Sequence, residues 1–146
     1  MLCLLAVPAH AERPWHGSVG AGGMVMYTGY QGDRWRFEAE VDIEPKSRFG
    51  ALVAWRGFDP EHRGILLGGL VYEAGAARPL LVIDLHADAG ADLDQIAPVV
   101  GGGIRITLTA WGPFGVALDT GGYLVIDGID GTRLVLGTSL SAVVRW

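Results

Sequence analysis

Asp84, His86 and Asp88 occupy alternate positions of one short stretch, and no other side chains in this 146-residue chain are better equipped for chemistry. Two carboxylates and an imidazole can ligate a divalent metal, and an imidazole flanked by acids can act as a general base. In extended backbone, however, neighbouring positions on one face lie about 6.5–7 Å apart, too far for all three to reach one ion. The triplet is therefore read as a histidine satisfied by its neighbours, with no metal and no cofactor expected. A second charged series begins at Arg34. Arg34, Arg36, Glu38, Glu40, Asp42 and Glu44 alternate with Trp35, Phe37, Ala39, Val41 and Ile43. Successive strand side chains point to opposite sides, so this segment has one charged face and one apolar face.

The same period of two runs on to Trp146. Leu81, Ile83, Leu85, Ala87 and Ala89 oppose the Asp84 triplet; Ile104, Ile106, Leu108 and Ala110 oppose Arg105, Thr107 and Thr109. Near the end, Leu134, Leu136, Leu140, Ala142, Val144 and Trp146 oppose Arg133, Ser139, Ser141, Val143 and Arg145. Eight strands are predicted, over 17–28, 33–44, 48–57, 64–74, 79–89, 99–111, 114–126 and 132–146. All seven prolines fall before the first strand, in turns or at strand starts, as the missing N–H donor requires. Glycine, at 23 residues, is about twice as frequent as usual and fits tight turns and small inward positions. The first, fourth and seventh strands are rich in it, and their facing is ambiguous.

Composition narrows the class. A net charge of −5 without a basic stripe argues against a nucleic-acid partner, and one cysteine, Cys3, gives no intramolecular disulfide. The opening residues, apolar from Met1 to Val7 and closing with Ala9-His10-Ala11, read as a signal-peptide remnant over 1–11, ahead of one β-barrel domain over 12–146. Alternation alone fits either a membrane barrel, apolar face outward, or a soluble lipocalin-like barrel binding a small apolar ligand inside. Aromatic placement decides for the membrane. With the amino end on the periplasmic side, Tyr27, Tyr30, Trp35, Trp55, Phe58 and Tyr123 gather near the upper strand ends. Trp15, Phe49, Tyr72, Trp111, Phe114 and Trp146 gather near the lower ends, leaving Phe37 between the two belts. Amphipathic rings prefer headgroup layers. Upper connections (29–32, 58–63, 90–98, 127–131) also read longer than lower ones (45–47, 75–78, 112–113).

On these alternating strands, the signal-like start and the closing aromatic, the chain resembles the small eight-stranded outer-membrane barrels of the OmpA/OmpX type. The resemblance covers about Trp15 to Trp146, although that family usually ends in Phe rather than Trp. It implies an all-β, eight-stranded antiparallel up-and-down transmembrane β-barrel in the bacterial outer membrane. It also implies a monomer in contact with membrane lipid, including lipopolysaccharide, and an assembly machinery that reads the last strand. So narrow a bore is filled by its own side chains. Arg34, Arg36, Arg56, Arg105, Arg133 and Arg145, set against Glu38, Glu40, Asp42, Asp84, Asp88 and Asp119 and accompanied by His86, are expected to plug it as six cations against six anions. The expected role is a non-enzymatic envelope component, or a minor gated pore. A lipid-modifying barrel enzyme using His86 is a further alternative. Barrels that deacylate lipid A carry a His-x-Ser pair on a later strand; here His16-Gly17-Ser18 lies at the start of the first, on the wrong side for outer-leaflet lipid. The acids near the upper loops (Asp33, Asp59, Glu61, Asp92, Asp94, Asp127, Asp130) form a charged rim able to share cations with lipid phosphates.

Overall fold

The computed structural model describes residues 16–28, 31–44, 48–77, 80–128 and 131–146, with the side chains at 16, 28, 31–35 and 44 outside the description. Eight strands follow in order: β1 (His16–Thr28), β2 (Gln31–Glu44), β3 (Phe49–Phe58), β4 (Ile65–Ala77), β5 (Leu81–Asp92), β6 (Ala97–Trp111), β7 (Phe114–Val125) and β8 (Arg133–Arg145). Each pairs antiparallel with the next, and β8 returns to β1, so the sheet closes on itself. The segment proposed as a signal remnant lies outside the described residues.

The registers set the bore. Register partners followed once around from Ser18 run through Asp42, Leu52, Gly69, Asp88, Gly101, Tyr123 and Val135 to Thr28, ten residues further along β1. A stagger of ten over eight strands, at about 3.3 Å per residue and about 4.8 Å between strands, tilts the strands by roughly 40°. The same relation puts the backbone on a cylinder of roughly 8 Å radius. Such a cylinder holds side chains and little else.

Polarity is inverted relative to a soluble core. Outward positions carry Val41, Val53, Leu70, Leu85, Ile104, Leu108, Leu118, Leu136 and Leu140, all exposed, whereas Glu38, Glu40, Asp42, Arg56, Asp84, Arg105 and Asp119 are buried. A lipocalin-like barrel needs the reverse arrangement. The interior is nevertheless layered rather than uniformly polar. Towards the end bearing connections 59–64, 93–96 and 126–132, called upper here, Met24, Met26, Leu52, Ile65, Leu67, Val99, Val125 and Val135 form an apolar cluster. Most of its members sit on strands whose facing the glycine content had obscured.

Three further expectations are corrected. Tyr123 does not join the upper belt: it is 2% exposed and points into the bore. Phe37 does join that belt, because its register partner is Phe58, the last residue of β3, and their rings lie 6.0 Å apart. Connection lengths differ less than expected, since β5 runs to Asp92 and β6 starts at Ala97, reducing the third upper connection to 93–96. The described members of the lower belt match expectation, with Phe49 and Tyr72 rings 5.0 Å apart and Trp111, Phe114 and Trp146 exposed, whereas Trp15, Tyr30 and the Trp35 side chain lie outside the described residues.

A charge on a lipid-facing position at the bilayer midplane costs about 2–4 kcal/mol. Leu140→Arg, near the middle of β8, should lower unfolding stability by that amount in lipid vesicles, measured by urea titration. Arginine at an ordinary solvent-exposed position would change it by less than about 0.5 kcal/mol.

Candidate functional site

The chemically distinctive feature is a charged plug spanning the bore. Arg105 on β6 reaches β2, four strands away in a ring of eight, and therefore across the full diameter. Its terminal nitrogens donate to Asp42 Oδ2 at 2.5 and 2.8 Å and to Glu40 Oε1 at 2.8 Å. Arg56 on β3 crosses to β7 in the same way, meeting the Asp119 carboxylate through two parallel bonds of 3.1 and 2.8 Å. That fork-on-fork geometry is the strong form of the pair. Arg56 also donates to the Tyr123 hydroxyl at 2.5 Å and stands 3.7 Å from Glu40 Oε2, so Glu40 joins the two crossings.

Neighbouring hydroxyls and the histidine complete the network. Ser18 gives its backbone N–H to Asp42 Oδ1 at 2.7 Å and its hydroxyl to Oδ2 at 2.8 Å. The Ser141 hydroxyl donates to Glu38. His86 lies between Asp88, 2.6 Å from Nδ1, and Asp119, 3.3 Å from Nε2. Both ring nitrogens of His86 are thus turned to carboxylates inside the bore. Among the described residues no three His, Cys, Asp or Glu side chains are arranged to hold an ion. Ser18, the serine of the His-x-Ser pair, is buried and bound to Asp42.

Room for these groups comes from β6. A Cβ on Gly103 would lie 2.7 Å from His86 Nε2, and one on Gly101 would lie 2.5 Å from the Tyr123 ring. Only glycine lets both side chains reach the axis.

The remaining residues of the expected network lie towards the ends. Arg36 is half-buried near the upper mouth, donating to the Gly57 carbonyl at 3.2 Å and standing 3.6 Å from Asp59. Arg133 is partly exposed there and donates to Asp92 Oδ2 at 2.7 Å and Gln95 Oε1 at 2.6 Å. Arg145, half-buried, is opposite Ser18 towards the lower end. The Arg34 side chain falls outside the described residues. The inner charges are consequently unequal. Among the described residues the buried carboxylates are Glu38, Glu40, Asp42, Glu73, Asp84, Asp88, Asp92 and Asp119, while the fully buried bases are Arg56, Arg105 and His86. Among the described residues, three of the expected arginines sit nearer the mouths, and two further inward acids, Glu73 and Asp92, add to the expected set.

Of the expected rim acids, Asp59, Asp92 and Asp94 are turned to internal use, while the Asp33 side chain and Asp130 lie outside the described residues. Asp59 accepts the backbone N–H groups of Glu61 (2.8 Å) and His62 (2.9 Å), and the His62 ring nitrogen lies 3.0 Å away. The His62 hydrogen bond, foremost, holds the Asp59 carboxyl below its ordinary range. A lowered carboxyl pKa stabilises the loop above the unfolded value and ceases to do so as pH falls through the folded one. NMR titration of Asp59 should therefore give a midpoint below about 3.9, and His62→Ala should bring it back up.

Removing one partner of a buried ion pair typically costs about 3–5 kcal/mol. Arg56→Met should destabilise the barrel by that much, since Asp119 loses its forked partner. Arg56→Met combined with Asp119→Leu should recover most of the loss in the same urea titration.

A closed ring of eight antiparallel strands, apolar outside and bridged by ions inside, defines a small barrel of the outer-membrane architecture. No protein-family model and no curated protein matches the chain. Solved structures do. Neisserial surface protein A (NspA) superposes with a TM-score of 0.51 at 13% identity, over 90% of this chain and 95% of that one. Ail, the attachment invasion locus protein of Yersinia pestis, gives 0.50 at 13% identity over 90% and 97%. The backbone structure of the Y. pestis outer membrane protein Ail in a phospholipid bilayer nanodisc gives 0.50 at 12% identity over 91% and 100%. At these identities the likeness is one of fold: the chain has the fold of the small eight-stranded OmpA/OmpX-type barrels.

Proposed function

We propose that this protein is a sealed structural barrel of the bacterial outer membrane, monomeric and without a conducting pore. The observation that carries the reading is the pair of full-diameter crossings, Arg105 to Asp42 and Arg56 to Asp119, in a bore of roughly 8 Å backbone radius. Ion movement through the barrel would require both to part inside a low-dielectric wall, where separated charges are costly. The apolar exterior, bounded by aromatics at both ends, supports a membrane-spanning position. Fold likeness to Ail, named as an outer membrane protein, supports the compartment. Membrane lipid, including lipopolysaccharide, is then the partner of the outer face.

The last strand is the proposed contact of the outer-membrane assembly machinery. Trp146 continues the β8 pairing with reciprocal bonds to Gly17 (Trp146 N–H to Gly17 O, 3.1 Å; Gly17 N–H to Trp146 O, 3.3 Å). It therefore helps close the seam between β8 and β1. An enzymatic role has little support from His86, whose two ring nitrogens both face carboxylates within the bore.

The test is fractionation followed by bilayer recording. The protein is expected in detergent-extracted outer membrane, migrating faster on gels when unheated, and without stable single-channel steps in planar bilayers. A detergent-free soluble monomer would overturn the membrane assignment, and large steady conductance would overturn the sealed bore.

A further inference from the structure

Above the apolar cluster, the upper mouth opens into a cavity of about 180 Å³. Its floor is formed by Met26, Ile65 and Val135, all buried, and its walls include Arg36, His62 and Arg133. Both signs of charge are present, but their hydrogen-bonding positions differ. Among the described residues, the carboxylates of Asp59, Asp92 and Asp94 are already engaged by loop backbone. Asp59 holds the N–H groups of Glu61 and His62. Asp92 Oδ1 accepts the N–H groups of Asp94 (2.9 Å) and Gln95 (3.2 Å), and its Oδ2 accepts Arg133. Asp94 accepts from Arg63 at 2.8 Å and from Gly64 at 3.4 Å.

The arginines are not saturated in this way. A guanidinium carries five N–H donors. Among the described residues Arg36 makes one hydrogen bond, to the Gly57 carbonyl, and Arg133 makes both of its bonds through a single terminal nitrogen. The Nε of each is buried and makes no hydrogen bond among those residues, that of Arg36 standing 3.6 Å from Asp59 Oδ2, so the donors open to the cavity are those of the terminal nitrogens. Arg133 keeps 40% of its side chain exposed and Arg36 keeps 16%. Every oxygen of Asp92 and Asp94 thus holds at least one partner while several guanidinium donors hold none, so a cavity lined by both signs of charge presents itself to a ligand as donor-rich. The apolar floor sets the other requirement. At about 30 Å³ per water, the volume accommodates about six non-hydrogen atoms.

We infer that the mouth cavity is a binding site for a short aliphatic carboxylate, its head between Arg36 and Arg133 and its hydrocarbon on Met26, Ile65 and Val135. Charge-assisted bonds from two guanidiniums supply the selection for an anion, and the floor selects for a tail over a bare inorganic ion. In the orientation proposed above the site faces the cell exterior. The inference rests on the mouth geometry and not on the sealed bore below it.

Butanoate is the probe, titrated into the folded full chain in nanodiscs while the Nε–H signals of Arg36 and Arg133 and the Gln95 amide are followed by NMR. Saturable shifts at all three are expected, with butylammonium and butanol producing none. Arg36→Gln and Arg133→Gln should each weaken binding about tenfold or more, whereas Arg63→Gln, an exposed residue outside the cavity lining, should leave it unchanged. Because Arg133→Gln could loosen the rim, Val135→Trp provides a second variant that fills the floor with both arginines retained, and it should abolish the shifts. Equal response to butylammonium, non-saturable shifts, or undiminished binding in Val135→Trp would overturn the site. None of those results bears on membrane insertion or conductance, so the two readings fail separately.

Discussion

Arg105 and Arg56 each cross the whole bore to find their acids, and the rest of the architecture is consistent with that constraint. A barrel whose outer face is apolar must place its polar side chains inside, where an unpaired charge is far more costly than in water. A stagger of ten on eight strands makes the bore narrow enough for an arginine on one wall to meet a carboxylate on the opposite wall. A wider barrel would leave those charges to water and become a channel. Here the crossings join β2 to β6 and β3 to β7, tying opposite walls that the hydrogen-bond ladder joins only the long way round.

Small residues make the plug possible. Gly101 and Gly103 on the inner face of β6 leave the space that Tyr123 and His86 fill, so the glycine excess is partly a packing device. The Tyr123 hydroxyl then meets Arg56, and its ring joins the apolar cluster above. This one side chain sits where the ionic layer meets the greasy one. The loop acids show the same economy at the rim, where carboxylates cap backbone amides and leave arginine donors facing the mouth.

Much of this was legible from residue order. In β5, β6 and β8 each inward run carries Asp, His, Arg, Thr or Ser while the outward run is nearly all aliphatic, so facing could be read directly. β1, β4 and β7 were harder, because glycine has no side chain to declare a face. A signal was still present. Asp119 points inward, and counting by two from it places Tyr123 inside; counting likewise from Asp84 places Asp92 inside. Tyr123 also lies close to the end of β7, where an aromatic suits the headgroup belt, so parity and position point opposite ways. The placement of Phe37 beside Phe58 was not recoverable, since it depends on a register irregularity between β2 and β3 and on strand tilt. Which arginine meets which acid was likewise beyond reach: partners four strands apart are set by barrel diameter and stagger, and those are properties of the closed sheet.

Those features resolve into a single claim, that aliphatic groups face acyl chains while ions are enclosed. Nitroxide labels introduced singly from Leu134 to Val144 in vesicle-embedded protein test it most directly, by comparing collision with oxygen, which concentrates in lipid, and with a water-soluble nickel complex. Oxygen collision should peak at 134, 136, 140, 142 and 144 and fall at 135, 139, 141 and 143, with nickel access low at the outward set. High nickel access at Leu136, Leu140 and Ala142, with no two-residue oscillation in oxygen collision, would contradict the account.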